Sequence, residues 1–199
     1  MLEQLTRRLA LHRPWRIRAP GAEAGVLVAL TDSNDPEVVL TLRAKNLSTH
    51  RGEVAFPGGK RDPEDLDVLA TALREAEEEV GLHSGQVRII GSLGQLISKH
   101  RLAVTPWVGI IRPDVHLVAN PGEIERIFRV PLRFFLEQPA LRTDEIPFRG
   151  KTHYVPAWEY EGAVIWGLTA YVLVELLNTG FDAGLPMRPR PEHLEIEHE

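Results

Sequence analysis

The sequence predicts an α/β sandwich, a mixed β-sheet flanked by helices. Three observations carry this expectation. Runs rich in β-branched residues, "GVLVALT" (Gly25–Thr31) and "EVVLTLR" (Glu37–Arg43), flank the turn chemistry of "DSNDP" and read as a hairpin. Leu69, Leu73, Ala76 and Val80 repeat at helical spacing and form one apolar stripe. A second apolar helix, "GLTAYVLVELLNTG", is expected to stop at Gly180.

Element by element, Leu2, Leu5 and Leu9 recur at helical spacing before Pro14. They predict a packing helix. Charges interrupt any apolar signal-peptide core in "MLEQLTRRLALHRP". After the hairpin, "KNLSTHRG" is a polar loop, and "EVAFPGG" is a short strand that breaks at Pro57-Gly58-Gly59. Asp65 or Asp67 can cap the next helix, expected over about residues 66–80. Gly81 followed by Leu82 resembles a Schellman stop. "VRIIGSL" and "TPWVGII" read as strands. "NPGEIERIFRVPLRFFL" holds an acidic loop, a short strand and a helix start, and "THYVPAWEYEGAVIWG" reads as another hairpin.

Composition narrows the function. The 199 residues suit one domain, and a hydrophobic fraction of 43% supports a sizeable core. A net charge of −5 is poor equipment for gripping a nucleic-acid backbone. The absence of cysteine excludes disulfides, thiolate zinc sites and a cysteine nucleophile, and fits a cytoplasmic location. No apolar run approaches the roughly 20 residues that span a bilayer. The expected partner is a small molecule, with neither nucleic acid nor membrane involved. Oligomeric state is left open, a homodimer included.

"REAEEEVGL" (Arg74–Leu82) crowds four glutamates into its nine residues. At about 100° per residue, Glu78, Glu75 and Glu79 fall roughly 180°, 240° and 280° from Leu69, away from the stripe. They are neighbours at i+3 and i+4, so their charges repel unless a cation intervenes. Hard oxygen donors of this kind suit Mg²⁺ or Mn²⁺. Glu77 points elsewhere. The competing reading is a solvated acidic helix face.

"GGKRDPEDLDVLATALREAEEEVGL" resembles the Nudix box, G-x5-E-x7-R-E-U-x-E-E-x-G-U, with Gly59, Arg74, Glu75, Ala76, Glu78, Glu79, Gly81 and Leu82 falling on it. The right half matches fully. In the left half Asp65 stands in place of glutamate, with eight residues instead of seven before Arg74, and it is given no catalytic role. The resemblance implies a Nudix-type α/β/α sandwich, with a helical extension over 1–20, the hydrolase domain over 21–180 and a loose tail over 181–199. It implies metal ligation by Glu75, Glu78 and Glu79, with Arg74 orienting them. The general base stays open among Glu78, Glu79, Glu123 and Glu125.

Upstream, "LTLRAKNLSTHRGEVAFPGG" (Leu40–Gly59) resembles the coenzyme A diphosphatase signature, L-L-T-x-R-[SA]-x3-R-x3-G-x3-F-P-G-G. The implied reaction cuts the pyrophosphate of CoA or an acyl-CoA. Arg43, Arg51, Gly58 and Gly59 are the implied substrate contacts. Ser48 replaces the signature's second arginine, which leaves open free CoA against acyl-CoA. Trp166 and Thr169 either line the pantetheine arm or pack in the core. His100 and His153 read as incidental. The rival functions are hydrolysis of ADP-ribose or NADH, and a non-catalytic nucleotide sensor, which would be expected to lose box carboxylates.

Overall fold

The runs and stripes fold in the order α1 (Leu2–Leu11), β1 (Glu23–Thr31), β2 (Glu37–Arg43), β3 (Val54–Ala55), β4 (Gly58–Lys60), α2 (Val68–Val80) and β5 (Arg88–Ser92). They continue as β6 (Leu96–Ile97), β7 (Ala103–Ile111), β8 (Ile124–Pro131), α3 (Leu132–Glu137), β9 (Arg142–Phe148), β10 (Lys151–Tyr160), β11 (Ala163–Ile165) and α4 (Gly167–Phe181). The structure is a computed structural model describing residues 1–17, 21–44, 52–148 and 151–185. Ser48, Arg51 and the tail beyond residue 185 lie outside the described residues.

An eight-stranded sheet follows the order β3-β2-β1-β7-β5, with β4 paired to β1, β6 to β7 and β8 to β2. β1 and β7 run parallel in register from Glu23↔Ala103 to Thr31↔Ile111, and the other pairs are antiparallel. The sheet is therefore mixed. β9, β10 and β11 form a separate three-stranded ribbon.

Strand alternation divides the core. Leu27 and Ala29 of β1 face α2 and its Ala72, Ala76 and Val80. Val28 and Leu30 face the other way, with Leu5 and Leu9 of α1 and Leu173 and Leu177 of α4. Helices thus cover both faces, and β1 is apolar along its length because both its sides are buried. The apolar face of α1 is buried, which matches a packing helix. Among the described residues no helix is long and apolar enough to cross a membrane.

Gly180 does not end α4. The helix continues to Phe181 and is capped by Asp182 at φ +51. A Cβ on Gly180 would sit 2.5 Å from Leu5 Cδ1, so this glycine serves the close approach of α1. Three strands escaped the sequence reading. β4 is Gly-Gly-Lys, β6 has two residues, and β9 is polar with an internal proline, so none carries the apolar alternation that marks a strand.

Candidate active site

The site forms where α2 lies against the Gly-Gly turn. A Cβ on Gly25 would lie 2.3 Å from Val68 O and 3.0 Å from Ala72 N, so the helix rests on bare backbone of β1. A Cβ on Gly58 would lie 2.4 Å from Gly25 O, and one on Gly59 would lie 2.3 Å from Glu75 Oε1. The missing side chains let the α2 backbone rest on Gly25, β4 pack against β1 at Gly58, and the Glu75 carboxylate press against Gly59. Asp67, not Asp65, caps α2, its Oδ1 accepting from Ala70 N at 2.8 Å. The predicted glycine stop forms, but as the simpler left-handed cap and not as a Schellman pairing: Gly81 sits at φ +67 with its N–H donating to Glu77 O, and Leu82 N donates to Ala76 O.

The glutamates do not share one outward face. Glu79 is 1% exposed, Glu75 is half-buried and Glu78 is exposed. The buried face of α2 holds Ala72, Ala76, Glu79 and Val80, with Leu69 and Leu73 only half-buried. It is turned roughly 45° from the stripe toward Glu79. The outward orientation expected for Glu79 is therefore corrected. The element that covers it is the β3–β4 turn.

Glu79 is held at both oxygens. Arg43 Nη1 donates to Oε1 at 2.8 Å, and Gly58 N donates to Oε2 at 3.1 Å. Burial pushes its carboxyl from 4.5 up to about 7; the Gly58 N–H and the Arg43 charge oppose this, and repulsion from Glu75 adds to it. Glu75 is raised as well, first by burial, with repulsion from Glu78 and Glu123 on top, although Arg74 lies 3.2 Å from its Oε1.

Arg74 orders the rest. Its Nε and Nη2 donate to Asp65 Oδ1 and Oδ2 at 3.0 and 3.1 Å, and its Nη1 donates to Glu78 Oε2 at 2.9 Å. Asp65 also accepts from Asp62 N and Thr71 Oγ1. Arg74 holds the Asp65 carboxyl far below the usual carboxylate range, and Asp65 raises Arg74 in turn. Sequence reasoning missed this clamp. The signal was Asp65 standing in the box at a shifted spacing from Arg74.

The loop between β7 and β8 runs along the C-terminal end of α2. Val118 N donates to Val80 O, Asn120 N to Glu79 O and Ala44 N to Glu123 O. This brings half-buried Glu123 close enough for its charge to act on Glu75. Opposite Leu42 and Arg43 the register slips, Leu42 facing Arg126 and Arg43 facing Ile124. Glu125 is the extra residue of that bulge and is exposed, so it does not join the carboxylate group.

Other candidates separate clearly. Thr169 Oγ1 donates to Val54 O at 2.9 Å in a buried bond, so it pins β3. Trp166 sits at the N-cap of α4, 39% exposed. His100 lies in the exposed turn after β6, and the side chain of His153 lies outside the described residues. A cavity of about 640 Å³ opens by Asp32, Arg88 and Arg112, at the opposite end of β1 from Gly25, and includes none of the glutamates.

Glu75 and Glu79 fit a divalent cation. They are hard oxygen donors, desolvated and mutually repelling, a state that a bound positive charge relieves. Glu78 is engaged by Arg74, and among the described residues no three acidic or imidazole groups converge on one point.

Fold and site define the class, an α/β/α hydrolase built on a Gly-Gly turn and an arginine-ordered glutamate helix. Residues 21–149 match the family model described as NUDIX domain, and the chain belongs to the Nudix family. Over 163 residues it is 40% identical to a Photorhabdus laumondii protein named "Uncharacterized Nudix hydrolase NudL", covering 82% of this chain and 87% of that one. It is 39% identical over 167 residues to Arabidopsis thaliana "Nudix hydrolase 15, mitochondrial", covering 80% of this chain but 59% of the plant protein. A solved Nudix hydrolase from M. smegmatis, RenU, shares the fold at TM-score 0.53 and 18% identity, over 90% of this chain and 94% of that one. Nudix hydrolases act on nucleoside diphosphate derivatives, generally with divalent ions such as Mg²⁺ or Mn²⁺.

Proposed function

We propose that this chain hydrolyses the pyrophosphate bond of coenzyme A or an acyl-CoA. The products are 4′-phosphopantetheine, or its acyl form, and adenosine 3′,5′-bisphosphate. One observation carries the reading: the run Leu40–Gly59 has the spacing of the coenzyme A diphosphatase signature. In the fold, its two described ends, Arg43 and Gly58, meet at Glu79. The catalytic unit is taken to extend to residue 180, because α4 belongs to the same core as β1 and β2.

Glu75 and Glu79 would hold Mg²⁺ or Mn²⁺, with Glu78 joining on release from Arg74. Such an ion neutralises charge on phosphate oxygens and lowers the pKa of water. The chain's residues do the positioning. Arg74, anchored on Asp65, keeps Glu75 and Glu78 oriented. Gly58, through its N–H on Glu79, and Gly59, against Glu75, would place both carboxylates where a diphosphate approaches. Glu123, presented from the β7–β8 loop, is the proposed proton acceptor for the attacking water. Its half-buried position beside Glu75 supports it over Glu125. The substrate is a small molecule handled in the cytoplasm, and the absence of Arg from position 48 leaves room for acyl-CoA preference.

The test is a panel of CoA, acetyl-CoA, longer acyl-CoAs, ADP-ribose and NADH with Mg²⁺ or Mn²⁺ in ¹⁸O-water, products identified by mass. Acetyl-CoA is expected to give acetyl-phosphopantetheine and adenosine 3′,5′-bisphosphate, with all activity lost to chelator and regained with metal. Release of free acetate and intact CoA would refute the reaction class. Turnover of ADP-ribose or NADH alone would refute the substrate.

A further inference from the structure

We infer that Arg43 is a positioning residue for Glu79 and does not bind substrate phosphate. The inference rests on the hydrolase reading of the glutamate helix, not on the identity of the substrate.

The backbone around Arg43 is fixed on every side. Arg43 N donates to Glu53 O and Gly52 N donates to Arg43 O, each at 3.0 Å, while Ala44 N donates to Glu123 O at 2.8 Å. The bulge in β8 opposite Leu42 and Arg43 breaks the regular alternation at this strand end. Bulges of this kind re-aim a side chain beside an active site. Here the Arg43 side chain is 18% exposed, with Nη1 at 2.8 Å from Glu79 Oε1, itself on a side chain 2% exposed. The other Glu79 oxygen takes the Gly58 N–H. One carboxylate is therefore fixed between a side chain of β2 and the backbone of β4.

The charge balance points the same way. A buried Glu79 carboxylate without Arg43 would be an uncompensated charge, so the pair is held strongly once formed. Turning the Nη1 donor to a phosphate would break that pair and free Glu79. Arg74 acts in parallel on Glu75 and Glu78 from the other side of the helix. Two arginines thus orient the three glutamates.

A kinetic double-mutant cycle tests this, run on whichever nucleoside diphosphate derivative the enzyme turns over. Failure of CoA as a substrate therefore leaves the test intact. Arg43→Gln is expected to lower kcat about 10–100-fold with KM changed less than about threefold, as for loss of a charge-assisted bond outside the substrate. In a Glu79→Gln background the same change is expected to have almost no further effect. Arg43→Lys, which keeps the charge and one donor, should recover part of kcat.

A second cycle needs no substrate. With chelator present, unfolding is compared in wild type, both single variants and the double. A coupling of about tenfold or more in the unfolding constant is expected. If Arg43→Gln does not fold, Arg43→Lys is carried through both cycles. The inference is overturned by a tenfold rise in KM at unchanged kcat. It is also overturned if the double variant is slower than Glu79→Gln by the full Arg43→Gln factor, or if the unfolding coupling is zero.

Discussion

Glu79→Gln removes the most buried charge of the site, a side chain 1% exposed between Arg43 and Gly58. Its carboxyl is raised from 4.5 to about 7, burial being the main cause. Between those values the folded chain keeps a proton that the unfolded chain has released. Stability is therefore greatest below the unfolded value and is lost as pH rises through the folded one. At about 1.36 kcal/mol per pKa unit, the ionised carboxylate weakens the metal-free fold by roughly 3 kcal/mol above pH 7. Glutamine does not titrate. It keeps only one oxygen for two donors, which costs about 1–2 kcal/mol at every pH. That offset cancels when the two proteins are compared across pH.

The assay is urea unfolding of both proteins with chelator, at pH 5 and pH 8. The wild type is expected to lose roughly 2–3 kcal/mol relative to Glu79→Gln between them. Mn²⁺ should restore wild-type stability at pH 8 by binding the folded state alone, and should act less on the variant. Turnover of Glu79→Gln should fall at least ~10²-fold, the scale of losing a strong electrostatic stabiliser. Parallel stability curves for the two proteins would refute the buried-charge argument, and near-wild-type turnover would refute the role.

Three further expectations use the same geometry. Asp65→Asn removes the charge that anchors Arg74; kcat should drop about tenfold with stability reduced by about 1–3 kcal/mol at neutral pH. Because the Asp65 carboxyl is depressed, its stabilisation is present above the unfolded value of 3.8 and lost as pH falls below it, so acid unfolding followed by circular dichroism should separate the two proteins less at pH 3 than at pH 7. Gly25→Ala drives a Cβ into the backbone of α2 and should destabilise by about 1–3 kcal/mol in urea, whereas Gly59→Ala meets only the mobile end of Glu75 and should lower kcat with little loss of stability. Ser48→Arg should lower KM for CoA and acetyl-CoA relative to ADP-ribose, more at low salt than at moderate salt, and unchanged ratios of kcat/KM would remove position 48 from specificity.

Much of the site was legible because its chemistry lies on consecutive residues of one helix. Arg74, Glu75, Glu78 and Glu79 are related by helical geometry, and Gly81 with Leu82 marks the stop by its backbone chemistry. β1 and β7 were legible because strands buried on both faces become nearly continuous apolar runs. What failed has one cause in several places. A helical wheel weighs only the helix's own side chains, so it turned Glu79 outward. The surface that covers Glu79 is the Gly58 backbone, which leaves no apolar mark on α2. β4 escaped notice for the same reason, since Gly-Gly-Lys offers no pattern while its backbone pairs with β1. Asp65 was passed over because the motif is counted in residues, whereas Arg74 is held by distance. A shorter side chain on a longer loop reaches the same guanidinium at 3.0 and 3.1 Å. Gly180 was read as a stop for want of its partner, Leu5, far away in the chain. The informative marks of burial here are therefore glycines on the covering element. Gly25 and Gly59 record the approach of α2 and its carboxylates more faithfully than the composition of α2 does.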